Sequence, residues 1–128
     1  MSTFSDILLV EDDIVVADVL CRMLVRAAYT VRTAKDGAEA LMELGQQLPS
    51  VLILDLNLPG KSGFTVLEEM HRLQLSVPII IITANPLFQA SLHHTNITRV
   101  LIKPFPIQEL LAALRAIYGY SGLDESLV

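Results

Sequence analysis

Four short runs of aliphatic residues each close on a polar side chain. Ile7-Leu8-Leu9-Val10 leads into Glu11-Asp12-Asp13, Val51-Leu52-Ile53-Leu54 into Asp55, Ile79-Ile80-Ile81-Ile82 into Thr83, and Val100-Leu101-Ile102 into Lys103. Apolar runs this short, with no polar interruption, predict strands covered on both faces. Tyr29 to Ala34 alternates instead and carries Thr30, Val31 and Thr33, which predicts a fifth, less buried strand. Between these segments the apolar positions recur at three and four. Val15, Val16, Val19, Leu20, Met23, Leu24 and Ala27 predict a first helix. Asp36, with Glu39 three residues on, reads as the cap of a second, whose stripe is Ala38, Leu41, Leu44 and Leu48 and whose stop is Pro49. Pro59 to Gly63 reads as a loop, and Phe64, Leu67, Met70 and Leu73 as a third helix. Asn85 to Thr98 is poorly patterned, with Leu87, Phe88 and Leu92 its strong apolar positions. Ile107, Leu110, Leu111, Leu114 and Ile117 predict the final helix, and Gly119 to Val128 reads as a tail.

Strands alternating with helices predict an α/β fold, a parallel sheet with helices on both faces. Periodicity leaves the strand order open. In the common doubly wound orders the first strand is central, and ligands sit at the carboxyl ends of the strands beside it. Glu11, Asp12 and Asp55 are therefore expected to share one crevice, with Thr83 and Lys103 on the same edge.

Composition narrows the class. The 128 residues suit one domain, taken as 1–118 with a tail over 119–128. An apolar share of 52% and a mean hydropathy of +0.53 fit strands that must be covered twice. A net charge of −5 argues against a nucleic-acid surface on this domain. Cys21 is alone, so no internal disulfide forms and a cytoplasmic setting is expected. Met1 to Asp6 carries no basic side chain and is not a secretory signal, and no apolar run nears the roughly 18 residues of a membrane span.

Three carboxylates in one crevice repel one another unless a cation neutralises them. Magnesium suits such a site, because it takes one or two carboxylates, keeps waters and accepts phosphate oxygens. Lys103 adds a point charge for a phosphoryl oxygen and Thr83 a hydroxyl donor. A carboxylate so surrounded can itself be the nucleophile and form an aspartyl-phosphate. The chain has neither a Gly-rich nucleotide cradle nor a dinucleotide fingerprint, so another phosphoprotein is the favoured donor. A metal-dependent phosphohydrolase of the haloacid dehalogenase type would want a second Asp two residues after the nucleophile, where this chain has Asn57. A pure interaction domain that keeps the fold without switching is the other alternative. Asp13 reads as the first helix's cap, His93-His94 as loop residues, Cys21 as a packing residue, and Gly60 and Gly63 as a flexible loop.

Over residues 6 to 118 the chain resembles the receiver domain of two-component response regulators. The resemblance is carried by Val10-Glu11-Asp12, by Asp55-Leu56-Asn57-Leu58-Pro59-Gly60-Lys61-Ser62-Gly63, by Thr83-Ala84 and by Lys103-Pro104-Phe105, in that order and at strand ends. It implies a flavodoxin-like sheet of order 2-1-3-4-5, in a bacterial cytoplasmic protein. It implies phosphorylation of Asp55 by a sensor histidine kinase or a histidine phosphotransfer protein, with intrinsic magnesium-dependent autophosphorylation and autodephosphorylation. It implies magnesium held by Asp12, Asp55 and the backbone carbonyl of Asn57, with Glu11 acting through water. It implies Lys103 and Thr83 on the phosphoryl group, a conformational output through the fourth helix and fifth strand, and room for a homodimer. Ten residues follow the last helix, so output is expected from a partner or a longer protein. Two positions depart from the family pattern. Val100 stands where an aromatic switch residue is common, and Leu92 to Arg99 lacks the usual Gly-Ala turn.

Overall fold

The computed structural model describes residues 6–58, 62–85 and 96–119. The elements run β1 (Asp6–Val10), α1 (Ile14–Arg26), β2 (Thr30–Ala34), α2 (Gly37–Gln46), β3 (Val51–Asp55), α3 (Gly63–Arg72), β4 (Ile79–Thr83), β5 (Ile97–Ile102) and α4 (Ile107–Tyr118). All strand pairs are parallel and the sheet order is β2-β1-β3-β4-β5. This is the flavodoxin-like order. Most of the poorly patterned segment, residues 86–95, lies outside the described residues, as does the tail from 120. No helix among the described residues is long and apolar enough to cross a membrane.

Every residue of β1, β3 and β4 is buried, as unbroken aliphatic runs require. Alternate side chains of one strand serve different cores. Leu52 and Leu54 join Leu44, Val66 and Met70 from α2 and α3. Val51 and Ile53 join Leu24, Leu110 and Leu114 from α1 and α4. Burying each such leucine or isoleucine contributes roughly 2 kcal/mol. The three central strands are thus fixed from both sides.

Helix starts follow their caps. An Asp13 carboxylate oxygen accepts from the amides of Val15 and Val16, and the Asp36 carboxylate from Glu39. Glu39 in turn accepts from the Lys35 amide. Ser62 caps α3 by accepting from Thr65.

The structure differs from the sequence pattern on α1 and β5. Of the apolar positions on α1 only Leu20 and Leu24 are buried, while Ile14 is 80% and Val15 71% exposed. The apolar arc of this helix is wider than the surface the sheet can cover. Strand β5 begins at Ile97, earlier than its aliphatic run, because Thr98 and Arg99 are exposed on an edge strand that needs no continuous apolar sequence.

The end of the sheet opposite the acidic residues carries a polar chain. Arg32 donates from Nε and an Nη to the two oxygens of Asp6, from its other Nη to Glu43, and to the Gln47 carbonyl. Ser50 donates to the Asp6 carbonyl, and its hydroxyl lies 2.8 Å from that of Tyr118. Burial pushes the Tyr118 phenol above its ordinary range, which the Ser50 hydrogen bond partly offsets. The ring of Tyr118 stacks on Tyr29. The last residue of α4 is thereby tied to the first turn leading into β3.

Candidate functional site

Parallel register assembles the site. Val10 pairs with Leu54, so Glu11 emerges beside Asp55. Asp55 pairs with Ile82, one residue before Thr83, and Thr83 pairs with Ile102, one residue before Lys103. All four polar residues leave the carboxyl edge of the sheet, where open α/β folds place their ligands. Backbone bonds lock this edge: the Leu56 amide donates to the Ile82 carbonyl, and the Lys103 amide to the Thr83 carbonyl.

Lys103 Nζ lies 2.8 Å from Asp55 Oδ2 and 2.9 Å from Glu11 Oε1. The two carboxylates are 3% and 1% exposed at the side chain. Asp12 is exposed, yet Glu11, Asp12 and Asp55 can each offer a carboxylate oxygen within 4.8 Å of the others. Asp55 Oδ1 accepts from the Asn57 amide at 2.9 Å. Glu11 Oε2 accepts from the Asp13 amide at 3.1 Å. Each buried carboxylate is thus held by one backbone N–H and one shared ammonium, which fixes its orientation.

Burial pushes the Glu11 carboxyl above its ordinary range, against the pull of the Lys103 ammonium and the Asp13 amide; the charge of Asp55 adds to the rise. Burial works to lower Lys103, but its hydrogen bonds to Asp55 and Glu11 outweigh it and hold the ammonium above its ordinary range. Lys103 is therefore firmly cationic at neutral pH.

The expected residues converge, with one qualification of geometry. Thr83 is fully buried, and its hydroxyl accepts from the Asn85 amide at 3.1 Å, so its hydrogen bond belongs to the turn after β4. Asn57 is exposed and reaches the site through its backbone. The Lys103–Pro104 peptide bond is cis. Val100 pairs with Ile81 and packs half-buried against the core under α2 and α3. His93 and His94, and the loop residues Pro59, Gly60 and Lys61, lie outside the described residues. Asp13 caps α1 as expected.

Gly63, expected in a flexible loop, is instead the buried first residue of α3, pressed on the backbone of Asp55 and Leu56. The helix start was signalled by Ser62, a good cap followed at once by the apolar period of the helix, but the close contact has no sequence signal.

The donor set suits a hard divalent cation: three carboxylates able to converge, two of them buried, with a backbone turn at Asn57 beside them. The arrangement also surrounds one strand-end carboxylate with an ammonium and further acids, the electrostatic setting that phosphoryl transfer requires.

Known proteins share this architecture. The sequence model of the response regulator receiver domain matches residues 7–115. A transcriptional regulatory protein of Bacillus subtilis, YbdJ, is 34% identical over 110 residues, covering 85% of this chain and 48% of that protein. The response regulator MprA of Mycobacterium ulcerans is 33% identical over 121 residues, covering 93% of this chain and 52% of that protein. The chain thus spans about half the length of the curated relatives it matches. The crystal structure of the response regulator TrrA from Thermotoga maritima, in complex with Mg(2+)-BeF, superposes with a TM-score of 0.81 at 27% identity, covering 88% of this chain and 98% of that one. With the sheet order, the acidic crevice and the family match in agreement, the chain belongs to the response regulator receiver domains, the phosphoacceptor signalling modules of two-component systems.

Proposed function

We propose that Asp55 is the phosphoacceptor of this receiver domain and that Glu11, Asp12 and the Asn57 backbone carbonyl complete a magnesium site around it. The observation that carries this reading is the Lys103 ammonium shared between Asp55 and Glu11 in a pocket of acids. A carboxylate oxygen of Asp55 attacks the donor phosphorus, a new P–O bond forms, and the bond from phosphorus to the donor's leaving atom breaks with its electron pair going to that atom. Lys103 lies where it can neutralise a phosphoryl oxygen, and Thr83, at the end of the adjacent strand, can supply a hydroxyl once released from the Asn85 turn. Bound magnesium supplies further positive charge to the phosphoryl oxygens and relieves the repulsion among the three acids. The same residues support autodephosphorylation, with water as acceptor. The receiver unit spans 1–118, works in the cytoplasm and acts on an output domain or partner through a change of conformation, as a monomer or a homodimer.

A wild-type sample given acetyl phosphate and magnesium is expected to gain one phosphoryl group by mass spectrometry, and none when the metal is chelated. Absence of label under both conditions would remove the reading.

The natural donor is a phosphohistidine protein, either a sensor kinase or a phosphotransfer protein. Its body has to cover the rim of the crevice for its histidine to reach Asp55. That rim includes the exposed Ile14 and Val15, on the first turn of α1 immediately after the acids. Charged replacements there, Ile14→Asp with Val15→Asp, should slow transfer from a phosphohistidine protein on the order of tenfold or more, since apolar anchors dominate such contacts. Labelling by acetyl phosphate should be unchanged. Equal losses with both donors would place these residues in the fold and not in docking.

A further inference from the structure

We infer that Gly63 is a positioning residue for the phosphoacceptor site: its missing side chain lets the N-terminus of α3 rest on the backbone of Asp55 and Leu56 and so fixes the turn that carries Asn57. This inference rests on the reading of Asp55 and Asn57 given above.

A Cβ on Gly63 would lie 2.6 Å from Leu56 Cα, 2.7 Å from the Asp55 carbonyl oxygen and 3.0 Å from Leu56 Cδ2. The first two are backbone atoms and cannot rotate away. An ordinary contact begins near 3.4 Å, so helix and strand end must separate before any side chain fits. Glycine is needed here for close approach, at a helical position that would otherwise favour alanine. The contact sits on the residue that joins acceptor to turn. The Leu56 carbonyl accepts from the Gly63 amide at 3.1 Å, and the Leu56 amide donates to the Ile82 carbonyl at 3.2 Å. Leu56 is therefore clamped between β4 and the first residue of α3. One residue on, the Asn57 amide donates to Asp55 Oδ1. Moving α3 outward pulls on the Leu56 carbonyl and turns the Leu56–Asn57 peptide, which carries this amide and leads directly into the Asn57 carbonyl proposed for magnesium. Displacements of this size matter, because sites of this kind tolerate errors of only about 0.5 Å.

The test compares Gly63→Ala, Ser62→Ala and Leu44→Ala with wild type. Gly63→Ala inserts the Cβ. Ser62→Ala removes the cap that holds the same turn without inserting an atom. Leu44→Ala opens the core under α2 away from the site and controls for lost stability. Magnesium affinity is measured by calorimetry and the Asn57 amide by NMR in metal-free protein. Gly63→Ala should weaken magnesium on the order of tenfold, the usual scale for residues supporting metal ligands. The Asn57 amide proton should move upfield as its bond to Asp55 lengthens. Ser62→Ala should shift both in the same direction by less, and serves alone if Gly63→Ala does not fold. Leu44→Ala should lower the unfolding midpoint and leave both readouts at wild-type values. Wild-type affinity and an unmoved Asn57 amide in the folded variants overturn the inference, as does an equal loss of affinity in Leu44→Ala. Failure of wild type itself to bind magnesium or take up a phosphoryl group overturns the functional reading instead, so the two failures are distinguishable.

Discussion

Asp55→Asn is expected to take up no phosphoryl group from acetyl phosphate and magnesium while remaining folded. The loss should be complete at the sensitivity of intact-protein mass spectrometry, because an amide oxygen offers no carboxylate to form the acyl phosphate. The fold should survive because the replacement keeps the shape and most of the bonding. The Asn side-chain oxygen can still accept from the Asn57 amide, and Lys103 keeps Glu11 as its partner. One negative charge leaves a group of three that can converge within 4.8 Å, so metal-free stability should hold or rise. Magnesium affinity should fall in the same variant. Undiminished labelling would mean that another side chain is the acceptor.

Lys103→Met should separate the structural and chemical duties of the ammonium. Removing it leaves two carboxylates, both nearly inaccessible, without their shared counter-ion. Breaking a buried pair from one side costs about 3 kcal/mol or more, so urea unfolding of the metal-free variant should move to clearly lower concentration. Magnesium should restore much of that stability, since it returns positive charge to the same oxygens. It should not restore the rate. Loss of one preorganised donor to a transferring group costs on the order of a hundredfold or more, so labelling should remain slow at saturating metal. The stability defect should also depend on pH. Burial already holds Glu11 above the ordinary 4.5, so the folded state retains a proton there longer than the unfolded chain does. Stability tied to that group is present below 4.5 and is lost as pH rises through the folded value. The gap between variant and wild type should therefore narrow on mild acidification. An unchanged unfolding midpoint without metal would show that the ammonium does not hold the two acids together.

The parts of the molecule legible in the sequence are those fixed by continuous apolar runs. β1, β3 and β4 are covered on both faces, so their sequences admit little but aliphatic residues, and the polar residue closing each run marks the carboxyl edge. Glu11, Asp55 and Thr83 were readable for that reason, and Lys103 because it closes the shorter aliphatic run at the end of the edge strand β5. The sheet order was not, because periodicity carries no information on which strands are neighbours; it entered through the family pattern. Helix faces were only half legible. On α1 a stripe of seven apolar positions gave the right side of the helix, but covering depends on what lies opposite, and Val15 and Met23 remain exposed. Leu48 and Leu73 are exposed for the same reason at the ends of α2 and α3. Gly63 was the clearest loss. A glycine in a turn and a glycine at a close contact look alike in a sequence, and only the Cα–Cβ direction against the Asp55 strand distinguishes them. The Arg32 network was equally hidden, since its partners Asp6, Glu43 and Gln47 are brought together by tertiary packing across separate elements.

The division of β3 between two cores also bears on how such a protein can change over evolutionary time. Leu52 and Leu54 are accountable to α2 and α3, and Val51 and Ile53 to α1 and α4. A substitution in either helical layer can be compensated within that layer, because the sheet separates the two. The strand bearing Asp55 has no such freedom: every change along it must suit one layer or the other, and all of them must leave its end in place. The helical faces can drift independently and acquire different partners, while the strand between them stays nearly fixed.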